Sequence, residues 1–321
     1  VEDILMQCHE RLDEKAIGLM IFLCAILGLQ QIAIKAAAAD MAPVLQMVVR
    51  SGLAAFFVGA YLRTKGLGLL PSAGKVRAGL AAGILFSLEF LCVGEGLRLT
   101  SASHMVTTLY TAPAFAALGL HFLLPEERLK SIQWCGMGLA FCGIVIAFFD
   151  FSGSSTSPSS IFLGDLLGLC GGMAWGATTV VIRTKLSETP PAQTLFIQLM
   201  TCCCVLFPWA IAVDGLNFSM TNIVWASLMF QIFIVCVFGM MLWFWLLTVY
   251  PASQLGALCF ITPIFGVVFG FLLLDESIEP RFIAGVILVL AGITIVSSWG
   301  WIELRLKNIR ILKSFKGNKQ P

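Results

Sequence analysis

The sequence predicts an all-α integral membrane protein, with ten transmembrane helices arranged as two inverted five-helix repeats. Three observations predict it: apolar runs of membrane-spanning length, a motif set repeated about 150 residues apart, and a one-sided distribution of Lys and Arg. Of the 321 residues, 59% are hydrophobic and only 12% charged. A soluble domain carries about a quarter charged residues. The surplus of apolar side chains needs a bilayer as solvent, where a helix crosses hydrocarbon in about 20 residues.

Apolar segments fall at 16–37, 43–62, 78–98, 102–124, 131–149, 161–182, 193–213, 223–249, 252–274 and 282–299. They are too uniformly apolar for the alternation of a barrel strand, so each is predicted as a helix that satisfies its own backbone. The first run ends in an Ala-x-Ala-like string, as a cleavable signal does. It is long, however, and follows Glu2, Asp3, Glu10, Asp13 and Glu14. A signal peptide has a basic start and a short apolar region, so the run is expected to remain as span one. Pro113, Pro208 and Pro263 lie inside predicted spans, a placement that membrane helices tolerate where they line a cavity.

The repeat is clearest in the fourth and ninth spans. Tyr110–Glu127 and Phe260–Ser277 align on Pro113/Pro263, Phe115/Phe265, Leu123/Leu273, Leu124/Leu274 and Glu126/Glu276, with Ala102-Ser103 matching Ala252-Ser253 upstream. Gly28, Lys35 and Pro43 match Gly176, Arg183 and Pro191 at an offset of 148, and Gly136 and Gly143 match Gly285 and Gly292 at 149. Five spans per half is odd, so the second half enters from the opposite side. Inverted repeats recur in transporters, with a site near the midplane. The division expected is a cytoplasmic segment at 1–15, repeats at 16–150 and 161–299, an outer linker at 151–160 and a basic cytoplasmic tail at 300–321. With the N-terminus inside, sixteen Lys and Arg fall on inner segments and three (Lys35, Arg98, Arg281) on outer ones, with Arg50 inside a span. The positive-inside rule then places both termini in the cytoplasm, and the plasma (bacterial inner) membrane is the expected location.

Gly28–Lys35 ("GLQQIAIK"), Gly176–Arg183 ("GATTVVIR"), the opening of span two ("PVLQMVVR") and the Pro-to-Glu fourth helix resemble the EamA-like branch of the drug/metabolite transporter superfamily, over about residues 16–299. The resemblance implies a cavity lined by spans one, three, four, six, eight and nine. It also implies a secondary carrier, often an exporter of amino acids or other small metabolites, working by alternating access. The first half departs in having Leu27 where the family often has Trp; the second keeps Trp175-Gly176.

Polar residues inside spans mark candidate sites, because burying them in lipid is costly. Those expected to bind substrate are Gln30, Glu89, His104, Thr108, Tyr110, Trp175, Thr179, Trp243 and Gln254. Arg50, Glu89, Pro113 and Pro263 are the structural or coupling candidates. At about 1.5 Å per residue, Arg50 and Glu89 lie at similar depths, roughly 10 and 13 Å from one surface, which predicts an ion pair. Glu95 has Arg98 one turn away as a local partner. Glu126 and Glu276 are expected to be solvated, or to cap the helix that follows each.

No catalytic residue, cofactor or metal is expected. The eleven cysteines show no metal-ligand spacing, and the three histidines form no HExxH. Lys and Arg are scattered rather than gathered in a stripe, so the partners expected are a small-molecule substrate and the bilayer, not nucleic acid. The competing readings are a membrane-embedded lipid-processing enzyme, which would want clustered Asp or His at a membrane face, and a non-transporting membrane partner, which needs no polar cavity.

Overall fold

The computed structural model describes residues 12–125, 128–148, 159–214 and 216–276, with 283–285, 287–288, 291–292 and 295 of the last apolar segment. Glu126, Arg281, Ser154 with most of the linker, most of the tenth predicted span and the basic tail lie outside the described residues. Within the described residues there is no strand. The helices are α1 (Glu14–Ala36), α2 (Pro43–Thr64), α3 (Ala73–Leu99), α4 (Ala102–Leu109), α5 (Ala112–Leu123), α6 (Ser131–Phe148), α7 (Ser159–Lys185) and α8 (Pro191–Asp214). They continue with α9 (Asn222–Met229), a π-helix (Phe230–Gly239), α10 (Met240–Val249), α11 (Ala252–Cys259) and α12 (Thr262–Leu274). Among the described residues, eight continuous stretches are long and apolar enough to cross a bilayer, with α4–α5, Asn222–Val249 and Gln254–Leu274 each counted as one. The fifth predicted span is present as the shorter apolar helix α6.

Local chemistry sets the helix ends. Asp13 caps α1 through a hydrogen bond from the Ala16 amide (2.7 Å). Ser101 and Thr221 cap α4 and α9 in the same way. Pro43 opens α2 at a position whose N–H would be free in any case. Pro113 and Pro263 were expected inside continuous helices. They instead stand in the first turns of α5 and α12, so neither removes a hydrogen bond from a helix interior. The chain has already tightened just before each, through matched i-to-i+3 bonds: Thr111 N to Thr108 O (3.3 Å) and Ile261 N to Leu258 O (3.0 Å).

The two halves pack by exchange. α1 lies on α11 and α12 of the second half, and α7 lies on α4 and α5 of the first. α3 crosses α7 as the π-helical span crosses α1, and α2 pairs with α8. When the halves are swapped, the first four of these contacts and the two crossings exchange in pairs, and the α2–α8 contact maps onto itself. The matched glycines make the crossings possible. A Cβ on Gly28 would lie 3.0 Å from Phe265 Cβ and 3.1 Å from Thr262 O. One on Gly176 would lie 2.7 Å from Phe115 Cβ and 3.0 Å from Ala112 O, the same positions 150 residues earlier. Helices in lipid gain little from hydrophobic exclusion of each other, so close backbone approach at small residues supplies the association.

Polar contacts then pin the register. Lys35 donates to Leu97 O (2.5 Å) and Thr100 O (2.9 Å), and Arg183 donates to Leu247 O (2.5 Å). Each repeated cation thus satisfies the open carbonyl end of the third helix in its own half. Buried Gln46 donates to Ile34 O and Met41 O, and Gln231 donates to Gln46 and Ser227, whose hydroxyl donates to Ala33 O. This chain locks the α1–α2 corner to the π-helical span.

Gly176→Val should lower stability by about 1–3 kcal/mol, because the new methyls meet the backbone of α5, which cannot give way. Gly138→Ala, with nothing within 4 Å of its Cβ, is the control. Thermal unfolding in detergent, read by loss of monodisperse protein, should separate the two; equal midpoints would refute the close-packed crossing.

Candidate functional site

Between the halves lies a narrow cavity of about 10 Å³, room for about one water, lined by Phe86 and Glu89 of α3, Trp175, Thr178, Thr179 and Ile182 of α7, and Met240, Trp243 and Phe244 of α10. The helical repeat explains the set. Thr178, Thr179 and Ile182 follow Trp175 at i+3, i+4 and i+7, Phe86 precedes Glu89 by one turn, and Met240 precedes Trp243 by one turn. The aromatic walls are coupled edge to face. The Tyr110 and Trp175 ring centroids are 4.9 Å apart and those of Trp175 and Trp243 6.2 Å apart. Glu89 is 4% exposed and brings the only carboxylate among the lining residues. The hydroxyls of Thr178 and Thr179 donate back to Ala174 O and Trp175 O, leaving their lone pairs as acceptors.

Of the residues singled out from sequence, Glu89, Trp175, Thr179 and Trp243 share this cavity, and Tyr110 backs its Trp175 wall. The others are placed elsewhere. Gln30 is buried in α1 outside the lining set. Thr108 donates to His104 O and packs where Gly168 of α7 leaves room. His104 pairs with Asp165 through Nδ1 (3.1 Å) at one end of the bundle. Gln254 accepts from the Leu12 amide (3.3 Å) at the other. Phe86, Ile182, Met240 and Phe244 were not singled out, because apolar residues in an apolar span carry no signal of their own. Their spacing from Glu89, Trp175 and Trp243 was the available clue.

The Arg50–Glu89 ion pair expected from depth does not form. Arg50 is fully buried, and among the described residues nothing hydrogen-bonds its three guanidinium nitrogens. Its guanidinium carbon sits 4.0 Å from the centre of the Phe90 ring. Residues 89 and 90 are separated by about 100° around the helix axis. Phe90 faces α2 and takes the cation on its π-face, while Glu89 is turned toward the cavity. Glu95 does meet Arg98 (3.9 Å) and also accepts from Trp209 Nε1 (2.9 Å). Glu276, expected to be solvated or to cap the following helix, instead crosses to the first half, where it accepts from the Ala102 and Ser103 amides and the Ser103 hydroxyl. Among the described residues no group of three or more His, Cys, Asp or Glu is placed to hold a metal.

The uncharacterized transporter YoaV of Bacillus subtilis (strain 168) is 24% identical over 274 residues, covering 84% of this chain and 91% of the relative. A probable amino-acid metabolite efflux pump of Escherichia coli (strain K12) is 24% identical over 221 residues, covering 65% of this chain and 71% of that protein. A solved crystal structure superposes with a TM-score of 0.67 at 15% identity, over 88% of this chain and 94% of the other, a likeness of fold. The EamA-like transporter family matches the chain twice, over residues 14–149 and 162–298. With its exchanged halves and, among the described residues, eight apolar helices of spanning length, this integral membrane protein belongs to the EamA-like transporter family.

Proposed function

We propose that the protein is a secondary transporter that exports small metabolites such as amino acids, by alternating access at the cavity between its halves. The observation that carries this reading is the single carboxylate, Glu89, set in an aromatic wall to which both halves contribute: α3 from the first, α7 and α10 from the second. A buried carboxylate attracts an ammonium group, and the faces of Trp175 and Trp243 add cation–π attraction to the same charge. The relatives named as amino-acid metabolite efflux pumps support the substrate class. No nucleotide-binding motif occurs in the sequence, so flux would run down a gradient of substrate or of a coupled ion. The membrane arrangement proposed is ten spans in two inverted repeats, with both termini cytoplasmic in the plasma membrane. The support is the positive-inside count and the exchange of contacts between the halves.

Reconstituted protein should move one or more members of a panel of amino acids across proteoliposome membranes. Glu89→Gln keeps the shape of the side chain and removes its charge, and should cut that flux at least about tenfold, or abolish its pH dependence, while the protein stays monodisperse. Flux of normal size and pH dependence would remove Glu89 from the site. A wild type that moves nothing on the panel would favour a non-transporting membrane partner.

For the orientation, single cysteines at Ser154 and Leu70 in a cysteine-free background report opposite faces. An impermeant maleimide added outside intact cells should label the first and not the second. The reverse pattern would invert the arrangement.

The matched tight turns before Pro113 and Pro263 are the proposed flex points of the fourth and ninth spans. Pro113→Ala and Pro263→Ala should each fold and slow transport several-fold, because an alanine restores an N–H and lets one helix run through the turn. Unchanged flux in both variants would leave the turns as packing features.

A further inference from the structure

At the end of the bundle that carries Lys35, one corner of the first half is gripped by side chains of the second. The corner is Thr100–His104, the link from α3 into α4. Two carboxylates of the second half grip it. Glu276, just past α12, accepts from the Ala102 amide (3.1 Å), the Ser103 amide (3.2 Å) and the Ser103 hydroxyl. Asp165 of α7 accepts from the Thr100 hydroxyl (2.8 Å) and meets His104 Nδ1 (3.1 Å).

The local backbone is shaped for this grip. Asp275 adopts the left-handed conformation (φ 53°), and the Glu276 amide then returns to Gly270 O (3.2 Å). This turns the chain back over the end of α12. Gly270 leaves the space in which Ser103 and Glu276 meet, since a Cβ there would lie 2.7 Å from both Ser103 Oγ and Glu276 Oε2. The open amides at the start of α4 favour an anion, so the carboxylate contributes charge as well as hydrogen bonds. Lys35, which holds the carbonyls of Leu97 and Thr100, adds a cation close to the same point.

The opposite end has a counterpart built from the matched positions. Tyr250 and Gln254 stand 150 residues after Thr100 and His104. They are held by the first half, through the Tyr250 hydroxyl to Asp13 (3.1 Å) and the Leu12 amide to Gln254 (3.3 Å). Each half thus presents one corner to be clasped by the other, at opposite ends of the bundle.

We propose that the Thr100–His104 corner and its two carboxylate holders, Glu276 and Asp165, are the gate at the Lys35 end, a clasp between halves that must open for the cavity to reach that face. The proposal rests on the alternating-access reading but is tested separately from it. Ser103→Cys with Gly270→Cys, in a cysteine-free background, sets two thiols on neighbouring positions of the clasp, since a Cβ at Gly270 would lie 2.7 Å from Ser103 Oγ. Oxidation to the cross-linked form should stop transport, and reduction should restore it, so the reduced protein is its own folding control. Complete cross-linking with undiminished flux would overturn the proposal.

The second arm needs no transport. A cysteine at Thr179 reports access to the cavity, with an impermeant maleimide added to right-side-out and to inside-out vesicles in turn. Glu276→Ala with Asp165→Ala should raise labelling from the Lys35 side alone by about tenfold or more, the size expected when charge-assisted hydrogen bonds are lost from the closed state only. Unchanged labelling from both sides in a monodisperse variant would also overturn it. A wild type that transports nothing, yet labels faster in the double variant, would keep the clasp and discard the transport reading.

Discussion

The close approach of α1 to α12, and of α7 to α5, is the constraint on which the rest of the structure depends. At Gly28 and Gly176 the facing helices approach so closely that a methyl group would press on the facing helix at 3.0 Å or less. Lipid offers helices no hydrophobic reward for finding each other, so this contact must come from packing at small residues. Because each half lays its first helix into the broken span of the other, the chain cannot assemble as two independent five-helix units. The cavity follows from the same exchange. Glu89 comes from α3, Trp175 from α7 and Trp243 from α10, and they share one space only because α3 crosses α7 while the π-helical span crosses α1.

Charge is spent in three ways inside this frame, each with a different physical cause. Lys35 and Arg183 go to open carbonyls at helix ends, where the helix dipole favours a cation. Arg50 is fully buried on the face of Phe90, a desolvated contact in which the ring quadrupole stands in for a counter-ion. Glu89 is left with neither arrangement. It is turned by one residue's rotation away from the arginine and into a space walled by tryptophan. Glu89 thus borders the cavity without a direct ion pair, although Arg50 is near enough to act on it coulombically.

The π-helix from Phe230 to Gly239 has a comparable role in aiming side chains. Its wider turns change the angular phase of everything that follows, so Met240, Trp243 and Phe244 reach the cavity from a helix whose start faces α2. Gly239 closes the π segment, where a Cβ would press on Ile234 O at 3.1 Å. The matching third span, α3, is continuous α-helix, so the two halves are alike in path but not in the side chains they offer.

The sequence by itself determined which of the described segments are helical, where most of them stop, and that one half repeats the other. These follow from local chemistry: uninterrupted apolar runs, Asp13 and Pro43 at helix starts, and matched Gly, Lys/Arg and Pro at a constant offset. Glu89, Trp175, Thr179 and Trp243 were legible as candidates because a polar or amphipathic side chain in an apolar span is costly and stands out. Only the tertiary structure decided where each side chain points. Depth along an axis placed Arg50 level with Glu89, but the angle around the axis separated them. Equal prominence in sequence did not keep His104 and Gln254 in the cavity, since each is held at an opposite end of the bundle. Glu276 has its partners at Ala102 and Ser103, more than 170 residues away in the chain. Helix formation is a property of neighbouring residues, whereas these pairings arise from the exchange of whole halves, which no local stretch of sequence encodes.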